Sequence, residues 1–479
     1  MRGEVLLAAS SAEVVAPLLH ASVGLSFWGG VCPQTSEVID RHHPLHGERL
    51  ENCVLALPSG RGSCTGSQVI LELLLAGRAP SAILLRQRDE IICLGVIVAQ
   101  ELFGRAIPIV SLGEHGFDAL SHAAQAGCEG VRVHPNGTVE LLPGEGEAAA
   151  AAADAAALPP MPTPTPTPTP TPVRLSRSDL AMLAGAEGAA AAVAMRIVKR
   201  VAELQGASEL LSVSQVHIDG CTYIGEASLM FARRLVDSGG RVRVPTSLNA
   251  ISVDQRRWRE LGVRPALGEP ASALGDAYVE LGATPTFTCA PYLLEGSAPA
   301  AGEHIGWGES NAVVFANSCL GARTQKTADF LDVCIALTGR APAAGVHLDC
   351  NRRARLVLSL PNLDAATLDD SFYPTLGYLC GLEAEGRVPV VTGLETASPT
   401  RDDLKAFSAA FGTTASTPLF HLAGVTPEAP DVATALGGDD HGSSGAVRRS
   451  ISRAALAAAF SRLNSSSASE VQLGDLISW

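Results

Sequence analysis

The sequence has no excess of positive charge: 35 Lys and Arg stand against 49 Asp and Glu, a formal charge of -14. Nucleic acid or an anionic membrane as main partner would require a basic face, so both are set aside in favour of small molecules. Paired CxxC spacings are also missing. Eleven cysteines, an odd number spread along the chain, do not form a secreted disulfide framework, and a reducing, cytoplasmic setting is expected. Long apolar runs are lacking too. Ile91 to Ala99, flanked by Asp89, Glu90 and Glu101, falls far short of the roughly 20 residues that cross a bilayer. The N-terminus carries one Arg and an apolar run broken by Glu13, which makes neither a signal nor a transit peptide. Neither a Walker A loop nor a GxGxxG pattern occurs, and no repeat of solenoid period.

What the chain does have is 479 residues, 47% of them apolar and 18% charged, enough for two or three domains with sizeable cores. Residues 143–172 mark the clearest boundary: an Ala run leads into alternating Pro and Thr, which should form an extended spacer. Ahead of it, residues 1–142 read as a compact α/β unit. Strands are expected at Val23 to Phe27, Cys53 to Leu57, Ala82 to Leu85, Ile107 to Leu112 and Gly130 to Val133, with helices at Gly66 to Ala76 and at Asp89 to Phe103. Asp89 is placed to cap the second helix and Gly104 to end it.

After the spacer, residues 173–479 alternate strand-like and helical stretches. Strands are expected at Leu211 to Ile218, Val242 to Pro245, Val313 to Ala316, Val388 to Thr392 and Leu419 to Leu422. Helices are expected within Arg174 to Gly206 and at Glu226 to Ser238, Asp254 to Leu261, Asp329 to Leu337 and Arg401 to Phe411. That order favours an α/β layered domain with a largely parallel sheet.

Four stretches carry candidate chemistry. In Leu57 to Ser67 a Gly-rich turn follows a strand and opens a helix, where amide groups and the helix dipole favour an anion or a serine alkoxide. Plain helix capping explains the turn as well. Arg61 there either clamps a carboxylate or lies on the surface. Gly220, Cys221 and Thr222 follow an apolar strand, the end of a parallel sheet where ligands sit, while the adjoining His217 reads equally well as a hydrogen-bonded core residue. Asn249 and Ala250 share the strand-end placement, with a turn as the alternative. Residues 286–323 place Cys289, Glu309, Asn, Ser and Arg residues among glycines, and read either as a site or as a Gly-rich core segment with buried thiols. Spacing alone does not make Cys289 a metal ligand, and Cys319 and Cys334 read as packed thiols.

Together these stretches resemble the aconitase X family in its fused form. The resemblance is carried in order by WGGVCPQTSEVIDRHHPLHG, LPSGRGSCTGS, LGVIVAQELFGRAIPIV, HIDGCTYIGEA, PTSLNAISVD, TFTCAPYL, GWGESNAVVFANSCLGARTQK, LTGRAPAAGVHLDCNRR and FHLAGVTPEAP. It implies a small swivelling β/α domain (1–142) joined through the Pro-Thr linker (143–172) to a large aconitase-like α/β layered domain (173–479). It also implies a hydro-lyase acting on a small hydroxy acid, expected to be cis-3-hydroxy-L-proline. The alternatives are mevalonate 5-phosphate dehydration or an inactive substrate-binding remnant. In the family pattern Ser63 is the proton acceptor, Gly220, Cys221, Thr222, Asn249 and Ala250 face substrate, and Cys289 is a ligand of an iron or iron–sulfur centre beside Glu309. The pattern further implies a large domain that continues past Trp479 to a Cys-containing segment, hence an expected C-terminal truncation.

Overall fold

The computed structural model describes residues 1–8, 12–142, 172–362, 368–438 and 445–464. The spacer read at 143–172 lies, but for residue 172, outside the described residues.

The small domain runs β1 (Glu4–Leu7), β2 (Val14–His20), β3 (Val54–Leu57), α1 (Gly66–Leu75), β4 (Ala82–Leu85), α2 (Glu90–Phe103), β5 (Ile109–Ser111), α3 (Gly113–Gln125), β6 (Gly130–Val133) and β7 (Val139–Leu142). Its seven strands lie in the order β1-β5-β4-β3-β2-β6-β7. Strands β2 to β5 are mutually parallel, while β1, β6 and β7 join antiparallel at the edges. Every residue of β3 and β4 is buried, as a parallel strand covered on both faces must be. Alternate residues serve different layers. Leu55, Leu57, Ile83 and Leu85 pack with α1 and α2, whereas Val54, Ala56, Ala82 and Leu84 pack with Phe117 and Leu120 of α3. Asp89 Oδ1 accepts from the Ile92 amide at 2.9 Å to cap α2, and Gly104, at φ +65°, ends it in the left-handed region.

The large domain begins with α4 (Arg177–Leu183), α5 (Ala189–Leu204), β8 (Leu210–Ser212), β9 (Val216–Ile218), α6 (Glu226–Asp237), β10 (Thr246–Leu248), α7 (Pro265–Glu280), β11 (Gly306–Trp307), α8 (Ser310–Ser318), α9 (Leu331–Thr338) and β12 (Arg340–Pro342). Here β10, β9 and β11 form a parallel three-stranded sheet, and β12 pairs antiparallel with β8. A second, four-stranded parallel sheet follows in the order β15-β14-β13-β16, with β13 at Leu356–Ser359, β14 at Pro389–Thr392, β15 at His421–Leu422 and β16 at Val447–Ser450. It has its own core, including Leu358, Val391, Phe407, Phe411 and Phe420.

The small and large domains do not have separate cores where they meet. Val69 and Leu73 of α1 and Val96 of α2 share one apolar cluster with Met195 and Val198 of α5 and Phe231 of α6. Around it, Glu101 is paired with Arg196 (2.7 Å) and Arg200 (3.0 Å), and Glu72 accepts from the Ala227 amide (2.7 Å).

Several expected elements differ. Val23 to Phe27 makes only a single bridge, Leu25 to Gly60; the strand is Val14–His20 instead. Pro17 hides that strand from a sequence reading, since a proline interrupts a ladder, yet pairing with β3 begins only at Leu18. Val313 to Ala316 is helical. Glu309 caps that helix, and its Ala312 to Ser318 face is buried all round, so a β-branched apolar run reads like a strand. The third strand of its group is Thr246–Leu248, just after the expected Val242 to Pro245. Asp254 to Leu261 forms turns, and the regular helix there is Pro265–Glu280.

Candidate active site

Because β10, β9 and β11 are parallel, their C-terminal ends fall on one edge of the sheet, which brings Asp219 to Thr222, Asn249 and Ala250, and Gly308 and Glu309 together. Hydrogen bonds tie these ends to one another. The Asn249 amide donates to the Ile218 carbonyl (2.9 Å), Asn249 Nδ2 donates to Asp219 Oδ1 (2.6 Å), and Asn249 Oδ1 accepts from the Ala250 amide (2.8 Å). Thr288 donates its amide to the Leu248 carbonyl (3.1 Å), which carries Cys289 to the same edge, against the Ala250 amide and near Glu309. Cys289 is exposed; burial of part of its thiol, then the charge of Glu309, holds it above the usual thiol range.

The other candidates are placed less openly. The Cys221 thiol is buried and donates to the Ile218 carbonyl (3.3 Å), so only its backbone is left to face a ligand; Gly220 gives its carbonyl to Tyr278 Oη (3.2 Å). Glu309 Oε2 accepts from the Ala312 amide (2.6 Å) as the cap of α8, and burial pushes the carboxyl up to about 7. His217 takes the core reading: it is buried, bonded through Nδ1 to Ser247 Oγ (2.8 Å), and burial pushes it down to about 3. Cys334 is fully buried and Cys319 half-buried beside Ser408.

From the small domain, the turn after β3 leads to Ser63 at the mouth of α1. Ser63 Oγ donates to Thr65 Oγ1 (3.1 Å) and accepts from the Thr65 amide (3.2 Å). The next residues dock directly on the large-domain edge. The Cys64 thiol lies 4.0 Å from the Gly308 carbonyl, the Cys64 carbonyl accepts from the Asp329 amide (3.3 Å), and Gln68 Nε2 donates to Asp329 Oδ2 (2.6 Å). Arg61 instead turns to Asp40 (2.6 Å), with 54% of its side chain exposed, so its guanidinium is engaged at the surface.

Sequence reasoning missed the acidic group beneath this junction. Asp219, Asp329 and Asp332 lie within electrostatic reach of one another, Glu309 lies near Asp219, and Lys326 is a cation close to Asp219 and Glu309. Asp332 Oδ2 accepts from the Asp219 amide (2.5 Å), and burial pushes that carboxyl up to about 7. Burial, followed by the charges of Asp219 and Asp332, holds Asp329 well above the carboxylate range. The available signal was the position of Asp219 at a strand end; Asp329 and Asp332 look in sequence like ordinary acidic residues opening a helix.

An iron or iron–sulfur centre needs several thiolate, imidazole or carboxylate donors converging at one point. Among the described residues no three His, Cys, Asp or Glu side chains assemble in that way. Cys289 offers one accessible thiol, and Oε2 of the nearby Glu309 accepts from the Ala312 amide of its helix. The described donor set therefore does not complete such a centre. No helix among the described residues is long and apolar enough to cross a membrane.

Comparison with known proteins agrees with this layout. The family model for the aconitase X swivel domain matches residues 4–141, that for the first domain 172–350, and that for the second domain 353–461. A cis-3-hydroxy-L-proline dehydratase of Pseudomonas aeruginosa is 56% identical over 425 residues, covering 88% of this chain and 69% of that protein. A phosphomevalonate dehydratase large subunit of Methanothermobacter thermautotrophicus is 35% identical over 269 residues, 56% of this chain and 66% of that one. The solved holo-form structure of Thermococcus kodakaraensis aconitase X superposes with a TM-score of 0.52 at 30% identity, over 60% of this chain and 68% of its own. With all three of its domain models matched in order and a relative of this identity covered over more than two thirds of its length, the chain belongs to the aconitase X family.

Proposed function

We propose that this protein is a hydro-lyase that removes water from cis-3-hydroxy-L-proline. The observation that carries the reading is the docking of the Ser63 turn on the strand-end edge that holds Asn249, Ala250 and Cys289, combined with the 56% identity to a dehydratase of that substrate. The phosphomevalonate reading has less support, because that relative is more distant and matches a smaller share of the chain.

Elimination takes the proton from the carbon beside the carboxylate while the hydroxyl on the neighbouring carbon departs as water, leaving a double bond between the two carbons. Ser63 is the chain's candidate for the first task. The Thr65 amide already donates to its oxygen at the mouth of a helix, and both favour a serine alkoxide. Asn249, Ala250 and the backbone at Gly220 to Thr222 are the candidates for orienting the substrate. Where the domains dock, Ser67, Gln68 and Asp329 are buried, which keeps water from the base of the Ser63 turn. Cys289, with Glu309 beside it, is the candidate thiolate for an iron or iron–sulfur centre, which when bound would supply a Lewis acid.

The test is incubation of anaerobically purified protein with cis-3-hydroxy-L-proline and with mevalonate 5-phosphate, following loss of water by mass spectrometry. Turnover of the first alone, abolished in Ser63→Ala, is the expected result. Full activity in Ser63→Ala would remove Ser63 as the base, and turnover of the phosphate ester alone would overturn the substrate.

A further inference from the structure

Asp329 lies at the boundary between the domains, just before α9, and the small domain holds it from several sides. Its amide donates to the Cys64 carbonyl (3.3 Å), its carbonyl accepts from Ser67 Oγ (3.1 Å), and its Oδ2 accepts from Gln68 Nε2 (2.6 Å). Both Asp329 and Gln68 are buried. Thr65, which is bonded to Ser63 by hydroxyl and amide, lies beside the same carboxyl. One aspartate thus gathers residues 64 to 68 and fixes the turn that presents Ser63.

The remaining oxygen, Oδ1, is buried without a hydrogen-bond partner, and the Asp219 carboxyl lies beside that of Asp329; Asp332 adds a further carboxyl to the pair, and Lys326 a cation near Asp219. Two carboxylates in one buried space do not both ionise, because each raises the cost of charging the other. A single proton between them resolves both oddities: the orphaned acceptor becomes a donor, and the pair carries one negative charge instead of two.

We propose that Asp329 is the positioning residue of the Ser63 turn, a neutral acid that donates to Asp219, accepts from Gln68 and so clamps the site-forming turn of the small domain onto the large one. What the turn does once seated rests on the dehydratase reading; the clamp itself does not.

Asparagine imitates a neutral aspartic acid at this position, its carbonyl accepting from Gln68 and its NH2 donating to Asp219, whereas alanine does neither. Cys64 reports on the clamp independently of catalysis, since its thiol is buried against Gly308 and reacts only when the turn lifts. The 479-residue chain is treated with N-ethylmaleimide, and modification is read site by site by mass spectrometry. Cys64 in Asp329→Asn should react within about threefold of the parent rate, and in Asp329→Ala at least about tenfold faster, the opening being local. Gln68→Ala, which removes the partner from the small domain, should behave as Asp329→Ala and guards against a variant that fails to fold. Dehydration of cis-3-hydroxy-L-proline should survive in the Asn variant and be lost with Ala. Cys64 as protected in Asp329→Ala and Gln68→Ala as in the parent would overturn the clamp. Asn and Ala variants equally labile would overturn its neutral state. The expected labelling pattern in a parent protein without dehydratase activity would uphold the clamp and sink the dehydratase reading.

Discussion

The side-chain amide of Gln68 and the carboxyl of Asp329 meet at 2.6 Å across the junction of two domains, both buried, and Gly220 lies against the pair. A buried bond of this kind tolerates little displacement, because either group left alone bears its full desolvation cost.

Gly220 is the residue through which that cost can be probed. A Cβ built there would lie 3.2 Å from Asp329 Cβ and 3.3 Å from Gln68 Nε2, tighter than ordinary contact. Gly220→Ala should therefore push the small-domain turn away from the edge and lower kcat by about tenfold or more while the fold persists, since small misplacements at a site are expensive. Steady-state kinetics beside a thermal melt checks this; unchanged kcat with a lowered Tm would place the strain elsewhere.

Thiol chemistry should follow burial. Cys289 and Cys350 are exposed, whereas Cys53, Cys64, Cys93, Cys221, Cys334 and Cys380 are buried. Alkylation of the native protein at pH 8 is expected to mark the first two and spare the other six until denaturant is added. Cys289 should react more slowly than a simple thiol peptide, because partial burial and the Glu309 charge keep it protonated. Mass-spectrometric mapping decides, and early modification of Cys221 would mean that its loop opens in solution.

Stability should depend on pH through two opposed sets of groups. His217 and His347 are pushed down to about 3, in both cases first by burial. Below about pH 6.5 the unfolded chain binds protons that these native imidazoles refuse, so they weaken the fold as pH falls from there towards 3. Asp332 and Glu309, pushed up to about 7, act in the other direction: the native state holds their protons between about pH 4 and 7, and their contribution is lost as pH rises through that range. The net slope is a difference, so a single-site variant is needed to read one term. His347→Gln should reduce the loss of stability between pH 7.5 and pH 5 by about 1–2 kcal/mol, measured by urea unfolding at both values. An unaltered slope would mean that His347 is not held neutral.

Much of the small domain is legible in the sequence because its signals are local. Ala82–Leu85 and Gly130–Val133 appear where expected, and Asp89 and Gly104 bound α2 through a cap and a left-handed turn that need only neighbouring residues. In the large domain Val313 to Ala316 misleads, since a helix buried on every side has no polar face to reveal its period. The strand-end candidates Gly220, Asn249, Cys289 and Glu309 come together because parallel strands align their C-terminal ends, a consequence of topology that motif order suggests. Asp329 is invisible for the opposite reason. Its importance lies in what reaches it from residues 64 to 68, and a separation of more than 260 positions leaves no trace in local pattern.

The apolar cluster running from Val69 and Val96 to Met195 and Phe231 carries one last implication. A boundary built of interlocked side chains and the Glu101 pairs with Arg196 and Arg200 has the makings of a permanent subunit interface, held by its own surface rather than by the peptide connecting the halves. Severing the backbone between positions 142 and 172 with an inserted protease site should thus leave two polypeptides that still co-elute on gel filtration, and separation into free halves would show that covalent continuity had been doing the holding.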